Sequence, residues 1–205
     1  MNKKIIAPHK IRVFMNGIIT AIAEQQFFNI FKVRYASTLE FEDAEVRENV
    51  KRIANFRINR ENDLESHLYE PMLETVNDKL YLMHVRRMGM GVFTDKIIMP
   101  NEYVAEYTGV VSRESLNTEN PYLFTYKSKR EGDLLDYKYL VDAREVGNIS
   151  RFVNHSEDSN VSTFIMMGKD AWHIVFAASR KIYSGEQLFI NYGSQYSKHW
   201  EKKNG

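Results

Sequence analysis

Between Gly147 and Asn160 the chain reads Gly-Asn-Ile-Ser-Arg-Phe-Val-Asn-His-Ser-Glu-Asp-Ser-Asn, crowding asparagine, histidine, serine and arginine around Phe152 and Val153. Buried polar side chains must be hydrogen-bonded, so this segment predicts either an internal polar network or a ligand. Three other patches have residue types able to do chemistry. Met88-Gly89-Met90-Gly91-Val92-Phe93 holds two glycines that allow close backbone approach. It lacks the further glycine and following helix of a dinucleotide fingerprint. Glu106-Tyr107-Thr108-Gly109 ends a β-rich run on a tyrosine whose hydroxyl needs a partner if buried. Gly185 to Gly193 alternates in polarity and finishes on Tyr192 beside a glycine. Taken singly, these patches are equally well a polar loop, a turn, a core tyrosine and an ordinary strand.

The elements that must position them divide the chain. Val46, Val50, Ile53 and Ala54 recur at helical spacing after Asp43, which predicts an amphipathic helix over residues 43–60 with Asp43 as its N-cap. Its stripe is expected to pack on the following domain; the alternative use is a homodimer contact. After about residue 78 short runs rich in Val, Ile, Tyr and Phe predict strands. These are Leu80 to Val85, Tyr103 to Val111, Tyr122 to Tyr126, Tyr139 to Asp142, Trp172 to Ala178 and Gln187 to Asn191. Pro100-Asn101, Asn120-Pro121, Gly132-Asp133 and Ser184-Gly185 read as the turns between them. Patterning therefore predicts a mostly β domain behind a helical N-terminal region, α+β in all. His173, Glu186 and Arg180 read as structural, the histidine satisfied locally and the charges solvated.

In order and spacing the four patches, with Tyr139-Leu140-Val141-Asp142-Ala143 linking them, resemble the SET-domain family of protein lysine methyltransferases. The likeness runs over roughly residues 80 to 200, and the intact string Arg151-Phe152-Val153-Asn154-His155-Ser156 is its most specific element. It implies a β-clip fold in which the Asn-His-Ser segment threads under the loop after the last strand as a pseudoknot, an arrangement rare among proteins. The division it implies is a helical region at 1–77, the SET domain at 78–193 and a short cysteine-free segment at 194–205.

The same resemblance implies S-adenosylmethionine as methyl donor. Met88, Gly89 and Met90 match its main-chain cradle, and Tyr122, Arg151, Asn154 and His155 match positions that line it. Tyr107 and Tyr192 match the catalytic tyrosines of the channel, with Ile190 beside them. Transfer from a sulfonium is an in-line displacement in which positioning supplies much of the acceleration. The attacking lysine, ordinarily with a pKa of about 10.4, must be neutral. Ile190 falls where a bulkier aromatic often limits methylation, which predicts that more than one methyl can be added.

Several positions depart from the family pattern. Glu157 and Ser159 stand where relatives often have cysteine and proline, Asn191 replaces a usual aspartate, and Val111 a usual acid. With no cysteine in the chain, no thiolate zinc site can close the active site; Tyr196 or Trp200 is expected to cover the adenine face instead. The helix-first layout and the tail Tyr192 to Lys203 resemble small SET proteins of intracellular bacteria, chlamydial type. This implies a histone or histone-like substrate, and residence in the bacterial cytoplasm or secretion into a host cell and its nucleus. Two alternatives stand beside it: a SET-like module that binds peptide or cofactor without turnover, and a methyltransferase of a non-histone, for example ribosomal, protein.

Composition narrows the remaining possibilities. A chain of 205 residues builds one sizeable core with an appended element. Its net charge of +1 argues against direct nucleic-acid binding by phosphate neutralisation. No apolar run reaches membrane-spanning length. Val13 to Ala23 imitates a signal sequence, but Asn16 and Gly17 dilute it, and a buried amphipathic element is the preferred reading.

Overall fold

The computed structural model describes residues 11–61, 78–113, 120–126, 139–168 and 170–193. In chain order it opens with β1 (Ile11–Met15), β2 (Ile18–Ile22), α1 (Glu24–Phe31), β3 (Arg34–Tyr35), β4 (Glu40–Phe41) and α2 (Ala44–Glu61). There follow β5 (Leu80–Val85), β6 (Gly89–Thr94), β7 (Tyr103–Tyr107), β8 (Val110–Arg113), β9 (Leu123–Tyr126) and β10 (Tyr139–Asp142). Last come β11 (Val146–Gly147), a 3-10 turn (Ile149–Phe152), β12 (Asn154–His155), β13 (Val161–Met167), β14 (Trp172–Ala178) and β15 (Phe189–Ile190). These make small sheets in the orders β2-β1-β5-β6, β4-β8-β10-β9 and β13-β14-β7, with two-stranded pairs β11-β3 and β12-β15. The molecule is mostly β. No helix among the described residues is long and apolar enough to cross a membrane.

The N-terminal region, expected to be helical, carries strands as well as helices among its described residues. The run that resembled a signal sequence is a hairpin, β1 against β2, turned by Asn16 and Gly17 at φ 52° and 85°. Both residues take the left-handed conformation that a two-residue hairpin turn requires, and Asn-Gly is the pair that adopts it at least cost. β1 then runs parallel to β5, β3 parallel to β11, and β4 parallel to β8. β1 and β4 thus extend sheets built from later strands, and β3 forms a pair with β11. α2 follows its pattern: Asp43 Oδ1 accepts from the Val46 N–H at 2.7 Å, and Val46, Val50, Ile53 and Ala54 are buried in the core.

Residues 103–111 do not form one strand. β7 and β8 are separated at Thr108-Gly109, where Thr108 Oγ1 donates to the Ala36 carbonyl at 2.7 Å. A Cβ on Gly109 would overlap the Asp142 carbonyl of β10. Gly109→Ala is therefore expected to destabilise the fold by about 1–3 kcal/mol through overpacking against backbone that cannot yield. Thermal denaturation checks this, and an unchanged midpoint would mean that β10 moves aside freely.

Candidate active site

The site grows outward from the 3-10 turn. Asn148 caps it: Asn148 Oδ1 accepts from the Ser150 N–H at 2.9 Å and from Ser150 Oγ at 2.5 Å. Its amide donates to the Glu106 carbonyl at 2.9 Å, fastening the turn to β7. Arg151, next on the turn, is buried. It donates through Nε to the Ala143 carbonyl at 2.6 Å and through Nη2 to the Arg144 carbonyl at 3.3 Å. Its guanidinium lies 4.0 Å from the centre of the Tyr122 ring and 4.7 Å from that of Phe152. Burial holds its pKa below the ordinary arginine value, yet a guanidinium stays charged in proteins. Arg151 therefore makes a fixed positive wall whose ring partners offset part of its desolvation.

α1 supports this turn from behind. Phe27 and Phe31 pack on Phe152 with ring centres 6.1 and 5.1 Å away. The N-terminal region is therefore part of the site's support.

After the turn, β12 lies parallel to β15 with Asn154 opposite Phe189 and His155 opposite Ile190. Two distant patches of the sequence are thus joined. The Ser156 N–H donates to the Ile190 carbonyl at 3.1 Å. Buried Asn160 bridges to the same segment: its amide donates to the Gln187 carbonyl, and its Oδ1 accepts from the Phe189 N–H, each at 2.8 Å. The Tyr192 N–H donates to His155 Nδ1 at 3.1 Å, which leaves the proton of a neutral His155 on Nε2. The Tyr192 hydroxyl donates to the Val153 carbonyl at 2.6 Å. Asn191 Oδ1 accepts from the Gly193 N–H at 2.8 Å, closing a turn around Tyr192. A carboxylate oxygen would accept that hydrogen bond in the same way, so asparagine in place of a family aspartate keeps the turn.

β6 carries the glycine-rich patch, which is strand and not loop. Asn154 Nδ2 donates to the Met90 carbonyl at 3.1 Å. Met88 is exposed on the turn before it, where Arg87 and Gly89 both have positive φ. A Cβ on Gly89 would meet open space, so glycine serves the backbone conformation there and not a close contact.

On the far side Tyr107 is buried, with Phe124 at 5.0 Å between ring centres, and its hydroxyl donates to the Tyr122 carbonyl at 2.8 Å. Burial, then the nearby Tyr192 phenol, pushes its pKa well above the ordinary tyrosine value. Tyr107 is a protonated phenol throughout the neutral range.

Met90, Asn154, His155 and Tyr192 thus form one connected cluster, and Tyr107, Tyr122 and Arg151 another. Ile190 is almost wholly buried in the core, two residues behind Tyr192. Tyr196 and Trp200 lie outside the described residues. Sequence reasoning did not single out Asn148, Asn160 or the Ala143 carbonyl. The two asparagines stood in the polar crowd, but what they hold is main chain up to 42 residues away. Arg180 pairs with Glu186 at 2.9 Å, whereas His173 bonds Glu106 of the paired strand β7, 67 residues away in sequence, and is not satisfied only locally.

The SET-domain family model matches residues 89–193. The histone-lysine N-methyltransferase EZH2 of Chaetomium thermophilum is 35% identical over 124 residues, covering 53% of this chain and 8% of that protein. The human histone-lysine N-methyltransferase EHMT1 is 35% identical over 132 residues, covering 61% of this chain and 10% of the relative. A solved structure of ctPRC2 in an autoinhibited conformation bound to S-adenosylmethionine is 30% identical, with a TM-score of 0.49 over 64% of this chain and 18% of the other. The chain thus spans a small fraction of the length of these relatives.

Proposed function

The chain belongs to the SET-domain family, and from that premise we propose that it is a protein-lysine N-methyltransferase using S-adenosylmethionine, with a histone or histone-like protein as substrate. The observation that carries the reading is the joining of the Asn154–His155 strand to the Phe189–Tyr192 segment, with the Tyr107 and Tyr192 hydroxyls each tied to a main-chain carbonyl. We take β12 as the strand threaded beneath the final loop, residues 78–193 as the SET domain, and 1–77 as its buttress.

The donor set fits the proposed methyl donor. A sulfonium with an attached amino acid calls for carbonyl and amide groups near its positive charges, and the Met90 carbonyl and the Asn154 and His155 side chains supply such groups on one ledge. The Tyr122 ring stacked on Arg151 offers a flat face beside it. Bound there, S-adenosylmethionine would supply an electrophilic methyl group. The protein's own part is positioning: the two phenols, fixed as donors to backbone, turn oxygen lone pairs outward to accept C–H and N–H contacts. Neither is set up as a base, since the Tyr107 proton is held by burial and both phenolic protons are already directed at carbonyls. An apolar channel disfavours the ammonium form of the incoming lysine and so favours its loss of a proton before attack.

The test is incubation of the protein with isotopically labelled S-adenosylmethionine and histones, bacterial histone-like proteins and whole-cell extracts, followed by intact-mass and peptide analysis. Label on a lysine is expected. With Ile190 and no hydroxyl at that position, successive products with more than one added methyl are expected on exhaustive reaction. Donor binding with no transfer to any protein would favour the non-catalytic binding module, and label confined to a ribosomal protein would replace the histone assignment.

A further inference from the structure

β7 ends on Tyr107, and the residue before it is a buried carboxylate. Glu106 Oε1 lies 2.7 Å from His173 Nδ1, and both residues are 4% exposed. On the other edge of the imidazole, Nε2 lies 3.3 Å from Oδ1 of Asp170, whose side chain is exposed. A Cβ on Gly168 would stand 2.7 Å from Nε2, so the ring is hemmed in. Glu106 and Asp170 both act on His173, and Glu106 in turn acts on buried Tyr103 of the same strand, on which Tyr35 also acts.

A neutral imidazole has one N–H and can donate to only one of two carboxylates, turning a lone pair towards the other. The doubly protonated ring donates to both. It also neutralises a buried carboxylate that would otherwise be costly to keep charged. The main chain at Glu106 is also tied to the site, because its backbone carbonyl accepts from Asn148, the cap of the turn that bears Arg151. The next residue, Tyr107, reaches the Tyr122 carbonyl.

We propose that Glu106, His173 and Asp170 form a proton-dependent clamp that positions Tyr107: the imidazolium holds both carboxylates and thereby fixes the end of β7 on which the Tyr107 hydroxyl is aimed. Glu106 and His173 are positioning residues in this scheme, not catalytic ones, and the proposal rests on the methyltransferase reading. Burial alone would lower the His173 pKa, but hydrogen bonds to Asp170 and Glu106, and then their charges, hold it above the ordinary value. The sign follows. The clamp contributes fully below the unfolded histidine pKa of about 6.5 and is lost as pH rises through the elevated folded value.

The experiment combines kinetics with NMR of the full chain. In wild type, the His173 ring protons are expected to titrate above the ordinary histidine range, with Tyr107 ring shifts following the same curve. In Glu106→Gln the titration moves down. The variant's kcat for methyl transfer falls about tenfold, as expected of a misaimed group, while peptide KM and donor affinity stay within about twofold. Its alkaline limb, taken as a ratio to wild type to cancel ionisation of the substrate amine, moves to lower pH. Unshifted His173 titration in Glu106→Gln, or Tyr107 shifts that ignore it, would overturn the clamp. A wild type that transfers no methyl would overturn the methyltransferase reading while leaving the NMR result standing.

Discussion

Asn154→Ala is expected to weaken donor binding by about 100-fold, which corresponds to about 2.7 kcal/mol. Two losses combine. The Asn154 amide is the donor that ties the Met90 carbonyl of β6 to β12 across 64 residues of sequence. Without it the Met90 end of β6 loses its direct tie to β12, while Val92 and Thr94 still bond the segment that leads into β15. The alanine also removes the side-chain oxygen from the ledge it shares with His155, where it would face a positively charged ligand; hydrogen bonds to charged groups contribute about 1.5–3 kcal/mol each. Asn154 is half-buried, so the fold should lose little by comparison. Asn154→Asp is expected to be no better, because a carboxylate has no N–H for the Met90 carbonyl. Titration calorimetry with S-adenosylhomocysteine and thermal denaturation separate the effects. An affinity change below tenfold would show that β6 is held by other contacts and that Asn154 does not face the ligand.

Which features could be read before the fold was known follows from what each depends on. β5, β10 and β14 match the expected spans residue for residue, since Leu80 to Val85, Tyr139 to Asp142 and Trp172 to Ala178 are short runs dominated by large apolar and aromatic residues. α2 was legible because its stripe and its Asp43 cap are local. The β1–β2 hairpin was missed although Asn16-Gly17 is the strongest short hairpin signal, because the surrounding run was weighed as one apolar stretch. Two-residue strands such as β3, β4 and β11 carry no periodicity at all; they exist because a strand distant in sequence pairs with each of them. The same distinction applies to the site. Tyr107, Asn154, His155 and Tyr192 belong to ordered motifs and could be named. The Glu106–His173 contact spans 67 residues between two strands, and nothing in the local sequence of either marks the other.

Tyr192→Phe is expected to lower kcat by about 100-fold while leaving peptide KM and donor affinity nearly unchanged, the pattern for an interaction made mainly in the transition state. The hydroxyl donates to the Val153 carbonyl at 2.6 Å, so its proton is committed and its lone pairs are what it offers the reacting groups. Phenylalanine keeps the ring beside His155, at 5.3 Å between centres, and keeps the Tyr192 N–H bond to Nδ1; only the acceptor is lost. Tyr107→Phe should act in the same direction but also cost stability, because it strips the buried hydroxyl that holds the Tyr122 carbonyl. If positioning rather than general-base chemistry is at work, the acid limb of the rate–pH profile belongs to the substrate amine. A peptide carrying a less basic lysine analogue should then move that limb down equally for wild type and Tyr192→Phe. A limb that stays put when the substrate is changed, and vanishes in the variant, would instead make Tyr192 the base. The elevated pKa of Tyr107 argues the same way within the proposed mechanism: burial favours the protonated phenol, so as a channel residue Tyr107 would accept contacts with the lone pairs of a neutral oxygen and take up no proton from the nucleophile.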